Sequence, residues 1–396
     1  MKLIQREEYI NKLIGARLTP DIKVITGVRR CGKSKLMESY IEYLNKNDSK
    51  ANIIHVNFNL PAFKNILEYQ SLYDYISNRY KKSKNNYVLI DEVQLCDNFE
   101  KAIIWLHTEE KYDIYITGSN AFLLSSDLAT LFTGRTLKIE VYPFSFKEYC
   151  KYYKHKDIQE AFDAYALEGG MSGRYVYKDE KLKDDYLKDV YNTLVLKDIV
   201  KKYKIRKPDL FTKVSNFMMD NISNIISARS ITKTISNAEL KASNPTITMY
   251  LKYLTNAFAF YKVRKYDIKG KKYLTSHDKY YLCDHSFRYA FLGKNNMDYG
   301  RVYENIVAME LIRRGYDLYV GTLYDKEIDF VAMKHDEKLY IQVSDNISDS
   351  KTLERELASL QSIKDSYPKM LIARTRHPEY DIEGVLVVDL ASWLKC

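Results

Sequence analysis

The stretch Ile22-Lys-Val-Ile-Thr-Gly27-Val-Arg-Arg-Cys-Gly32-Lys33-Ser34 decides the fold. A short apolar run leads into Gly27–Ser34, which fits the pattern GxxxxGK[ST], and a helical pattern follows at once over 33–45. This is the context in which such a loop binds phosphate: strand, glycine turn, helix N-terminus. Glycines let the backbone wrap an anion, and the amides of Arg30, Cys31 and Gly32 point into the turn. Lys33 is placed to reach the β- and γ-phosphates of a nucleotide, and the Ser34 hydroxyl to hold Mg²⁺.

Outward from this loop the pattern repeats. NIIHVNF (52–58), YVLIDE (87–92), YDIYITG (112–118) and TLKIEVY (136–142) read as further strands, with helical stretches between them such as 99–109. Strands alternating with helices predict a parallel sheet covered on both faces. The strand at 87–92 ends in Asp91 and Glu92. A carboxylate there suits a water-mediated Mg²⁺ contact, and the adjacent one suits polarisation of an attacking water, which favours hydrolysis over transfer to a metabolite. The next strand ends in Thr117-Gly-Ser119-Asn120, polar groups able to bond that water or the γ-phosphate. Arg135, just before the fifth strand, is a candidate arginine finger.

The length of 396 residues suggests two or three domains. No run approaches the roughly 18 apolar residues of a membrane span, so no membrane role is expected. Five cysteines are scattered without a CxxC pair. That argues against a disulfide framework and suits a reducing cytoplasm. The net charge of +10 has an address. Residues 201–290 hold 18 Lys+Arg against 6 Asp+Glu, and the rest of the chain is near neutral. A localised basic excess is a footprint for DNA or another polyanion.

Within that segment the order is helix, turn, helix, hairpin. Ser243-Asn244-Pro245 is a helix-start signal. Six basic residues lie between Lys262 and Lys272. In a winged helix, Thr246, Thr248 and Lys252 would face bases or backbone, and Lys269, Lys271 and Lys272 would meet phosphates. The rival reading is a winged helix that packs domains together.

The chain resembles the prokaryotic ATP-binding proteins of the AAA+ superfamily that carry an N-terminal AAA-type domain and a C-terminal domain of unknown function. The resemblance rests on GVRRCGKS (27–34), LIDEVQ (89–94), ITGSN (116–120), and Gly134-Arg135 followed by YPFSFKEY (142–149). It continues through LEGG (167–170), KDIVKKYKI (197–205), YYLCDHSFR (280–288), GRVYENIVAMELIRRGYDLYVG (300–321) and EIDFVA (327–332). It implies an α/β fold: an ASCE-type P-loop NTPase sheet with a helical lid (1–205), a winged-helix-like basic middle (206–292), and a restriction-endonuclease-like α/β domain (293–396). It implies Asn120 as sensor 1, Arg135 as a finger acting in trans within a homo-oligomer, and Arg174 as a candidate lid arginine. The chain departs from the family at Met171-Ser172, where a proline usually follows the paired glycines.

The restriction-like fold uses a helical Glu, a strand Asp and a Glu-x-Lys on the next strand to hold Mg²⁺ and activate water. Glu304 and Asp329 match the first two positions. The third reads Gln342-Val-Ser344, and a neutral amide is a poor Mg²⁺ ligand. The resemblance therefore implies the fold without nuclease activity, and leaves this domain a structural or partner-binding role. The expected protein is a cytoplasmic Mg-ATP-dependent ATPase coupled to DNA. The alternatives are a slow nucleotide-gated switch, a scaffold acting on another protein and, last, an ATP-regulated nuclease.

Overall fold

A computed structural model describes residues 4–118, 132, 134–236, 242–273, 278–293 and 298–396. The chain divides into two compact units, 1–142 and 143–396. The expected boundaries after 205 and 292 both fall inside the second.

The first unit is built on five parallel strands: β1 (Ile22–Thr26), β2 (Ala51–Asn57), β3 (Asn85–Asp91), β4 (Tyr112–Thr117) and β5 (Thr136–Glu140). Their order is β2-β3-β4-β1-β5. Helices Lys33–Asn47 and Phe99–Thr108 lie where the apolar spacing put them. Leu36, Met37, Tyr40 and Leu44 recur every three or four residues and are buried, the stripe that packs a helix on a sheet. Every residue of β1 is buried. That includes Lys23, whose ammonium sits 2.6 Å from Asp113 at the lower end of the sheet. A helix over Glu7–Gly15, which the sequence reading did not anticipate, precedes β1.

The second unit opens on helix Phe146–Tyr153, started by a full capping box between Ser145 and Glu148. Helix Ile158–Glu168 ends at the paired glycines. A Cβ on Gly170 would lie 2.2 Å from the Phe144 carbonyl oxygen, so only glycine fits. The Gly170 N–H donates to Asp284 at 2.6 Å. The LEGG and YYLCDHSFR runs are thus two sides of one buried contact. Met171 is fully buried and a short 3₁₀ helix opens at Ser172, which turns the chain without the family's proline.

Helix Pro208–Asp220, strand β6 (Ile225–Ile226), helix Ala228–Ser236, helix Asn244–Asn256 and strand β7 (Phe260–Asp267) follow in order. Then come β8 (Lys272–Tyr273) and β9 (Asp278–Leu282). Helix Tyr299–Arg313 leads to β10 (Asp317–Leu323), β11 (Lys326–Lys334) and β12 (Glu337–Ser344). Helix Ser350–Gln361 leads to β13 (Lys369–Ala373), β14 (Tyr380–Ile382) and β15 (Val385–Asp389). One mixed sheet runs β14-β15-β13-β12-β11-β10-β7-β9-β6. The basic segment and the C-terminal segment therefore share a sheet. β7 joins them: its first half pairs with β9 and its second half with β10.

Candidate nucleotide site and basic hairpin

The phosphate loop leaves the upper end of β1. Gly27 has φ 137°, and a Cβ there would lie 2.0 Å from the Val141 carbonyl oxygen. The loop can pass β5 this closely only with glycine. Gly32, also at positive φ, precedes helix Lys33–Asn47 and supplies no side-chain cap. The helix start has no side-chain cap from Gly32, which leaves its first turn open to an outside acceptor, as an anion site requires.

Lys33 is buried. Its ammonium donates to the Gly27 carbonyl at 3.0 Å and the Val28 carbonyl at 3.2 Å. Both partners are neutral and belong to the loop itself. Arg6, from the segment leading into the first helix, is buried as well. It donates to the Cys31 carbonyl at 3.1 Å and the Tyr142 carbonyl at 2.9 Å, and so ties the loop to the end of β5. Burial pushes the Cys31 thiol up, against the pull of Lys33 and Arg6.

Asp91 closes β3 and is almost fully buried. β4 lies between β3 and β1 in the sheet, so Thr117 at its end separates Asp91 from the loop. The Thr117 hydroxyl donates to Asp91 and accepts the Glu92 N–H at 3.3 Å. Glu92 is left-handed, φ 56°, a conformation that costs a non-glycine residue free energy and is concentrated at functional sites. Its carboxylate accepts from the Gln94 amide. Ser34 sits in the first turn of the loop helix, partly buried. A hydroxyl, a buried carboxylate and an uncapped helix N-terminus are hard oxygen and amide groups, a set that fits Mg²⁺ bound to a nucleotide phosphate.

The other expected residues fall elsewhere. Asn120 lies outside the described residues. Arg30 is exposed in the loop at φ 62°. Arg135 is not brought to the phosphate loop of its own chain. Its carbonyl accepts the Ile22 N–H at 2.9 Å, at the start of β1, whereas the loop follows the end. Four residue steps of strand separate the two, about 13 Å. Arg174 is buried in the second unit, where it donates to the Glu168 carbonyl at 2.8 Å and lies 3.9 Å from Glu180.

In the basic segment, Thr248, Lys252, Lys269, Lys271 and Lys272 are exposed and Thr246 is half-buried. Tyr250 is buried, and Tyr253 stacks on Tyr203 with ring centroids 3.6 Å apart. Part of the basic excess is spent internally. Lys262 pairs with Asp278 at 2.7 Å and Lys265 with Glu327 at 3.8 Å. Lys279, buried on β9, reaches Glu304 and Glu327 at 2.9 Å each and Asp329 at 3.5 Å. Burial alone would pull its ammonium down. The three carboxylates instead hold it well above the usual lysine value. Burial raises Glu304 to about 8, with Lys279 pulling the other way. One ammonium facing three carboxylates leaves surplus negative charge, and the neighbouring Asp329 pushes Glu304 in the same direction as burial does.

The five-strand parallel order and the glycine-wrapped loop define a P-loop NTPase. A family model described as an AAA domain matches residues 19–150, and one described as a domain of unknown function matches 159–298. The chain is 38% identical over 399 residues to an uncharacterized protein of Haemophilus influenzae, covering 99% of this chain and 98% of that one. An uncharacterized protein of Methanocaldococcus jannaschii is 29% identical over 384 residues, covering 92% and 84%. Among solved structures, a Walker-type ATPase of Pyrococcus abyssi aligns with a TM-score of 0.50 at 15% identity, covering 73% of this chain and 95% of that one. That likeness is one of fold. The chain belongs to the family of AAA-type P-loop ATPases with a C-terminal domain of unknown function, together with the Haemophilus protein. Among the described residues, no helix is long and apolar enough to cross a membrane.

Proposed function

We propose that the protein is a cytoplasmic ATPase that binds and hydrolyses Mg-ATP, and that nucleotide state governs how its basic segment engages duplex DNA. The observation that carries the first part is Lys33, a buried ammonium whose hydrogen bonds among the described residues go to loop carbonyls. A phosphate oxygen is a far better partner for it, because a charge-assisted bond is roughly twice as strong as a neutral one. The amides of Gly27, Arg30 and Gly32 surround the phosphate, and the Cys31 N–H exchanges the Val28 carbonyl, 3.2 Å away, for a phosphate oxygen, with Ser34 and Asp91 as the Mg²⁺-facing pair. Mg²⁺, when bound with ATP, supplies charge neutralisation at the phosphates. Thr117 fixes the Asp91 carboxylate. Glu92 orients the attacking water and accepts its proton, with Asn120 as a further polar contact. Arg135 acts from a second copy of the chain, since within its own chain it lies at the other end of β1.

The order helix, strand, helix, helix, three strands over 208–282, with β9 between β6 and β7 and the short β8 paired to β7, supports a winged-helix reading of the basic segment. Lys252, Lys271 and Lys272 are exposed cations on it, and Lys269, also exposed, lies 4.7 Å over the Tyr324 ring. A second reading is favoured by a specific observation: Lys262, Lys265 and Lys279 are already paired with acids of the same unit. In that reading the segment is a packing module, and the protein is a nucleotide-gated switch acting on a protein partner. The test is phosphate release against protein concentration, with and without duplex DNA. Turnover per chain that rises with concentration supports Arg135 in trans, and stimulation by DNA supports the coupling. Turnover unaffected by DNA, together with no DNA binding at low salt, sinks the DNA reading. Robust hydrolysis in Lys33→Ala and Glu92→Gln sinks the site.

A further inference from the structure

The restriction-like resemblance placed Glu304 and Asp329 where such folds hold a divalent metal. The two carboxylates do converge, and Glu327 joins them. A metal does not fit the result, because the point of convergence is taken by the Lys279 ammonium. It lies 2.9 Å from Glu304, 2.9 Å from Glu327 and 3.5 Å from Asp329. Further donors from the protein reach two of the three acids. The Tyr281 hydroxyl donates to the same Glu304 oxygen at 2.7 Å, and the Val343 N–H donates to the second Asp329 oxygen at 2.9 Å. The Gln342 side chain accepts the Asp329 N–H at 3.2 Å and donates to Glu356 at 2.7 Å. An amide at this position keeps Glu356 bonded and adds no negative charge to the cluster. Lys279 is 4% exposed, and water competes poorly for a charge so enclosed.

We propose that Lys279 is the resident cation of this carboxylate cluster, filling the place of a divalent metal and clamping β9 of the basic hairpin to the C-terminal sheet. Three facts meet in it. The lysine comes from the basic segment and all three acids come from beyond residue 298. Both sides are buried or half-buried. The ion pairs cross the same seam that β7 and β10 close through their backbones. The C-terminal domain therefore takes no divalent ion at this position, and its acidic residues serve cohesion. The inference is independent of the nucleotide reading.

The test uses the full chain, free of nucleotide, and Mn²⁺ as probe. Mn²⁺ is titrated by electron paramagnetic resonance into the wild type, Lys279→Met, Glu304→Gln and the double variant. The wild type is expected to bind no Mn²⁺ that Glu304→Gln removes. Lys279→Met is expected to gain one ion, lost again on adding Glu304→Gln. In thermal unfolding, Lys279→Met should lower the midpoint by roughly 10 °C, because three carboxylates lose their cation. The added Glu304→Gln should restore part of that. Mn²⁺ bound by the wild type through Glu304 overturns the proposal, as does a Lys279→Met protein that folds and gains none. If Lys279→Met does not fold, the wild-type and Glu304→Gln titrations still decide the point.

Discussion

Two buried lysines set the two units apart. Lys33 and Lys279 are enclosed to a similar degree, 7% and 4% exposed. The first gives its protons to two peptide carbonyls; the second faces three carboxylates. A buried ammonium with neutral partners has paid for desolvation without recovering it in charge pairing. It gains when an anion arrives. One surrounded by carboxylates has its counter-charge already, and gains nothing from a ligand. Burial of the same side chain therefore means readiness at Lys33 and closure at Lys279, as it does at Lys23 beside Asp113, and the partners tell which.

The largest expected effect breaks the pair apart on the first side. Lys33→Ala should lower ATP turnover by about a hundredfold or more while shifting the unfolding midpoint very little. Phosphate release and a thermal scan read the two quantities. A large loss of stability with activity retained would make Lys33 a structural lysine like Lys279. On the second side, Lys279→Met should cost about 3 kcal/mol of stability and leave ATP affinity unchanged, read by urea unfolding and a fluorescent-nucleotide titration. Lys279→Arg should recover part of the loss, because the charge remains.

A smaller effect concerns Thr117, which holds Asp91 by its hydroxyl. Thr117→Val keeps the shape and removes the bond, and turnover should fall about tenfold, with the Mg²⁺ requirement shifted upward. An unchanged Mg²⁺ titration would detach Thr117 from the site. The smallest effect is in pH. Burial raises the Glu304 carboxyl from 4.5 to about 8, among Lys279, Tyr281, Asp329 and Glu327. A folded-state value above the unfolded one means the folded form holds the proton more tightly. The stability this contributes is complete below about 4.5 and is lost as pH rises through about 8. Glu304→Gln should flatten that decline in unfolding measurements across this range. Identical slopes in both proteins would show that Glu304 does not titrate there.

Much of the first unit was legible. Its strands are continuous apolar runs because a parallel sheet is buried on both faces, and Lys33, Asp91 and Glu92 stand at fixed offsets from those runs. Arg6 was not legible, since a lone arginine before a helix carries no pattern. Thr117 could be quoted as a polar end on the strand beside that of Asp91, but nothing in the run says that its hydroxyl turns to that carboxylate. Gln94 sat in plain view within LIDEVQ, and only the left-handed turn at Glu92 brings the two side chains together. In the second unit the limit was charge. Residues 201–290 carry a net +12 in the sequence, which reads as one outward surface. Lys279 counts toward that figure while facing acids at 304, 327 and 329. Periodicity does not report pairings across such separations, so the internal share of the charge could not be subtracted in advance.

β7 has a consequence for anyone who cuts the chain. Its first four residues ladder with β9 and its last four with β10. A fragment ending near residue 292 would bare the outer rim of β7, and a fragment beginning there would bare β10. Each rim is a row of unpaired amides and carbonyls that invites another chain to add itself. Halves expressed separately should find each other, or aggregate, before either behaves as an isolated module.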